Sequence, residues 1–197
     1  MTSPTDTPSL PARLRTAWTT AHTPVAGVPR WARTAALAIP LTVLPTCLWR
    51  IASVTLHLPI ARGDQGSGDI PAWLPMELYA LVLSILSELL AFTAVGLIAR
   101  WGEVFPRWIP GLRGRRIPIS AAVIPAALGA AILTVMWTTA ALANPFGDDI
   151  HGGDGPLDYH HWKGVLAITV YAPLLLWGPL LAAVTVAYYR RRTAGGR

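Results

Sequence analysis

The sequence predicts an all-α integral membrane bundle of four transmembrane helices, and three observations carry that expectation. Of 197 residues, 53% are hydrophobic and only 13% charged, whereas a soluble domain carries roughly 25% charge. Mean hydropathy is +0.45. Four stretches, 34–58, 76–99, 117–143 and 164–189, are long and apolar enough to cross a bilayer, which takes about 20 such residues. The 18 Pro and 17 Gly show no Gly-X-Y period, which excludes collagen, and the charge is too low for a disordered chain. A single cysteine, Cys47, excludes an internal disulfide, a CxxC redox pair and a cysteine zinc cluster.

The elements follow in order. Residues 1–33 read as a cytoplasmic tail, largely disordered, Thr- and Pro-rich, with Leu10, Leu14, Ala17 and Trp18 able to share one face of a short surface helix. It is not a cleavable signal, because the first apolar run starts late and carries Arg50. The membrane domain covers 34–189, and its aliphatic runs lack the period-two alternation of barrel strands. Pro40 and Pro45 in the first span, Pro125 in the third, and Pro173 and Pro179 in the fourth predict kinks. Residues 190–197 form a basic cytoplasmic tail.

Orientation follows the basic residues. Thirteen of 16 lie on one side: Arg13 to Arg33, Arg100 to Arg116, and Arg190 to Arg197. Arg62 and Lys163 stand opposite, with seven of the ten acids. Both termini are therefore expected in the cytoplasm of a multi-pass plasma membrane protein. The +6 charge reflects juxtamembrane clusters, so the expected partners are the bilayer and anionic lipid head groups, not nucleic acid. A membrane protein partner or homo-oligomer is also compatible with the pattern.

The stretches RWGEVFPRWIPGLRGRR, 100–116, and YAPLLLWGPLLAAVTVAYYRRR, 171–192, resemble a set of small, uncharacterised multi-pass membrane proteins of high-GC actinobacteria. Fifteen Arg against one Lys fits such a genome. The resemblance covers spans two to four. It implies plasma membrane residence and a four-helix bundle, and it brings no activity and no catalytic residues.

Arg50 and Glu88 are the most informative residues inside the spans, where an unpaired charge costs at least about 2.5–3.5 kcal/mol, and Glu77, at roughly 35 Å from the inner face, is the rival partner for Arg50. At 1.5 Å per residue, Arg50 lies roughly 25 Å from the inner face and Glu88 roughly 18 Å, so they are expected to pair. Stripes at helical spacing support facing surfaces: Thr46, Arg50, Ser53 and His57 on the first span, Ala80, Ser84, Glu88, Ala91 and Val95 on the second, Ala122, Ala126 and Ala130 on the third. The pair has two open roles. It sets helix register, or it lines a site open to the outside with Ser53, His57, Tyr79, Ser84, Trp137 and Tyr171 as a candidate vestibule.

The outer loop holds Asp149, His151, Asp154 and His160, weak metal candidates whose spacing matches no ligand pattern, so no metal and no cofactor are expected. No nucleophile–base pair, phosphate loop or HExxH is present, so no enzyme is expected and catalytic residues are none. The leading expectation is a non-catalytic scaffold, partner subunit or envelope accessory protein. The alternative is a small transporter or ligand-binding membrane protein using Arg50 and Glu88.

Overall fold

The computed structural model describes residues 25, 27–60, 73–103, 117–143 and 162–194. The tail stripe from Leu10 to Trp18 and most of the two acidic loops, residues 61–72 and 144–161, lie outside them. The described chain is helical, and four helices are long and apolar enough to span a membrane.

Helix α1 runs Arg30–Arg50 and continues as a π turn over Ile51–Thr55. It starts four residues before the expected boundary at 34. The carbonyl of Pro29 accepts from the N–H groups of Ala32 and Arg33, so the first turn forms on the basic side of the apolar run. Pro40 and Pro45 lie within the helix without ending it. The π turn widens the helix directly after Arg50, where Leu56 N–H reaches Ile51 O at 2.9 Å.

Helix α2, Met76–Gly96, ends three residues before the expected limit at 99. Tighter turns at Leu97 and Ile98 lead into a 3-10 turn, Arg100–Gly102. Trp101 folds back there and stacks on Phe92, ring centroids 6.4 Å apart. Gly96 permits this, because a β-carbon on it would lie 2.6 Å from the Trp101 ring.

Helix α3 spans Ile119–Ala143. The fourth span is composite: α4 over Trp162–Tyr171, a 3-10 segment over Ala172–Leu176, and α5 over Trp177–Ala194. Pro173 lies in the 3-10 segment, and Pro179 lies in the first turn of α5, where its missing donor matters least.

The spans pack antiparallel around α1, which meets α2, α4 and α5. Ala32, Ala36, Ile39, Val43 and Cys47 form its buried stripe, at spacings of three and four. They close against Ala91, Ala94 and Val95 of α2 and Val184 and Tyr188 of α5. Lipid supplies no hydrophobic gain between helices, so close backbone approach over alanines carries this packing. The same device joins α3 to α5. A β-carbon on Gly178 would collide with Thr134 Oγ1 and lie 2.9 Å from Ala130 O. Helix α3 has the fourth span as its only substantial neighbour among the described elements. Just 6% of its apolar window is buried, against 44% for α1.

Candidate functional site

The polar cluster of the membrane interior joins α1 to α2. Ser84, fully buried, is its centre. Its hydroxyl donates to Ala80 O one turn back, at 2.7 Å, and accepts from Arg50 Nη1 at 3.4 Å. Its carbonyl accepts from the Cys47 thiol at 3.3 Å. Cys47 and Arg50 are three residues apart on one face of α1, so two successive side chains of that face dock on one residue.

The expected Arg50–Glu88 ion pair does not form. The Arg50 guanidinium ends on Ser84, and Glu88 Oε2 is enclosed without a donor. The register of α1 against α2 sets the choice. Counted at the same rise per residue from the basic end of the spans, Ser84 lies at roughly 24 Å, level with Arg50, and Glu88 one turn nearer that end. Glu88 is one turn from Ser84 on the same face of α2, so it belongs to the same neighbourhood.

The candidate vestibule separates into three places. Ser53 donates back to Trp49 O at 2.8 Å, within α1. His57, at φ 51°, lies exposed just past the π turn that ends the first span, with Nε2 3.4 Å from Glu77 Oε1. Tyr79 is exposed near the same end. Trp137 and Tyr171 meet each other across α3 and α4, centroids 6.3 Å apart, and Trp137 Nε1 is buried without an acceptor. Beside Tyr171, Thr46 of α1 donates to Val170 O at 3.2 Å and ties α1 to α4. Asp149, His151, Asp154 and His160 lie outside the described residues.

A second cluster, absent from the sequence reading, sits at the basic end. Arg191 Nη2 bonds Glu103 Oε1 and reaches Leu97 O at 3.4 Å. Arg192 Nη1 lies 4.0 Å from Glu103 Oε2, and its Nη2 donates to Ile117 O at 2.8 Å. Glu103 O in turn accepts from Ile117 N–H at 2.9 Å. The three charged side chains are only 14–19% exposed. Both guanidinium groups lie over the ring of Tyr188, 5.5 and 5.8 Å from its centroid, a cation–π geometry. Val25 N–H bonds Ile98 O nearby, and Gly27 touches the Arg191 stem. The clamp therefore gathers the start of α1, the end of α2, the start of α3 and the end of α5.

One signal for it was visible in the sequence: Glu103 is the lone acid among the five arginines of 100–116. Two of the basic-end arginines, Arg191 and Arg192, thus bond protein groups. No protein family, curated protein or solved structure matches the chain.

Proposed function

We infer that the chain is a non-catalytic partner or scaffold subunit of the plasma membrane, with both termini in the cytoplasm and kinship to the small actinobacterial multi-pass proteins it resembles. The observation that carries the inference is the position of α3. It is held on one side by the fourth span, and Ile124, Leu128 and Ile132 form an exposed stripe along it. These three recur every four residues, the spacing of a helix-docking face. Anionic head groups are its lipid partners at the basic end, and neither a catalytic function nor a cofactor is required.

The test is photo-crosslinking in native membranes from positions Leu128 and Ile132, with Leu86 on α2 as comparison. A discrete protein adduct from α3 alone supports a partner subunit. Lipid adducts only, from both helices alike, refute it.

A ligand site at Arg50 and Glu88 is the alternative, favoured by the unpartnered Glu88 Oε2. Folded Arg50→Lys and Glu88→Asp variants that lose the cellular phenotype would select it.

A further inference from the structure

A groove of about 560 Å³ runs between α3 and α5. That is within the roughly 300–1,000 Å³ of small-molecule sites. One wall is Val123, Ala127, Ala131 and Val135, a stripe at four-residue spacing. The other includes Ala182, Val186 and Tyr189. Of its three hydroxyls the two threonines are already committed, Thr134 to Ala130 O and Thr185 to Leu181 O, both at 2.7 Å, and the third, of Tyr189, lies beside Arg190. The groove therefore asks for an apolar occupant.

Its position says which one. Val123 lies one turn inside the start of α3, and Val135 is 12 residues further, so the groove is about 18 Å long. Half of a 30 Å hydrocarbon core is about 15 Å. On α5 the lining runs from Tyr189, beside Arg190, to Ala182, about 12 Å inward of Arg190, so the groove opens at the basic end and leads into the core along the path of an acyl chain from the leaflet on that side. At its basic end the stripe Ala182, Val186 continues, four residues on, to Arg190. Arg190 is exposed and has no carboxylate partner among the described residues, unlike its neighbours in the clamp.

We propose that this groove binds one anionic phospholipid, its acyl chain between α3 and α5 and its phosphate on Arg190. The proposal rests on the membrane placement above and not on a protein partner, since the stripe Ile124, Leu128, Ile132 lies beside the groove rather than in it. The small alanines leave room for the chain, and the neighbouring arginine selects the head group by charge.

The test is native mass spectrometry of the full chain in detergent with equimolar phosphatidylglycerol and phosphatidylcholine. The expected result is one retained phosphatidylglycerol per chain, preferred about fivefold, the worth of one arginine near an anionic surface. Ala131→Trp fills the groove and should abolish retention of both lipids. Arg190→Gln should keep retention and erase the preference. Ala127→Leu, at an exposed position, should weaken retention even if the tryptophan variant fails to fold. Equal retention by the groove variants overturns the proposal, as does an undiminished preference in Arg190→Gln. A wild-type dimer that Ala131→Trp converts to a monomer also overturns it, because a second copy would then be the occupant. Crosslinking from Leu128 and Ile132 does not depend on this lipid, so the two tests fail separately.

Discussion

Arg50 has two acceptors within a turn of each other on α2, and packing decides between them. Cys47 and Arg50 dock together on Ser84, and that shared docking holds the guanidinium one turn away from Glu88. A double-mutant cycle separates the alternatives. Arg50→Met with Ser84→Ala should show a coupling of about 0.5–1.5 kcal/mol in detergent unfolding, the range of a net hydrogen bond. Arg50→Met with Glu88→Gln should be additive within about 0.5 kcal/mol. The clamp has the opposite character, since one carboxylate serves two cations. Glu103→Gln should therefore lower stability by about 2 kcal/mol, below the 3–5 of a fully buried pair because these side chains keep some exposure. An unfolding midpoint unchanged by Glu103→Gln would show that the clamp contributes nothing. The polar stripe of α2 was legible because Ser84 and Glu88 share a face at helical spacing. Which of the two takes Arg50 was not, because a long flexible side chain reaches both and the choice depends on how α1 and α2 slide along each other.

At the scale of elements, alanine and glycine positions set how closely the helices approach. Gly178 lies against the backbone of α3 at Ala130 and Thr134. Gly178→Val should force the helices apart and destabilise the chain by about 1–3 kcal/mol, the usual cost of overpacking. Thermal unfolding in detergent measures it, and Ala182→Val, at an exposed position of the same helix, should be nearly silent. The four spans were legible because hydropathy over 20 residues is a coarse signal that no packing detail reverses. Their ends were less so. The sequence reading ended the second span at Ala99, but Trp101 turns back on Gly96 and stops α2 three residues earlier. The break between α4 and α5 was marked by Pro173, though its form, a 3-10 segment through Leu176, depends on local hydrogen bonding that composition does not encode.

At the scale of the molecule, the clamp brings the ends of the spans to a common level, as alternating antiparallel helices require. With the arginine bias this predicts that a cysteine placed at Gly153 is labelled by an impermeant thiol reagent only from outside intact cells. The native Cys47 is buried and should give little background. Labelling only after permeabilisation would reverse the topology.

The clamp also imposes an order on biogenesis. Glu103 is synthesised before α3, whereas the two arginines that hold it arrive 88 and 89 residues later, at the end of the last span. Until α5 is inserted, the second and third spans have no cation from α5 to fasten them. A chain stalled or cleaved between 143 and 190 would leave that carboxylate without either guanidinium and the bundle's basic end untied. Membrane quality-control proteases act on loosely held spans of this kind. Pulse-chase of a chain stopped after Arg190 should show faster turnover than the full chain, and the residues that close the bundle thereby also report that it is complete.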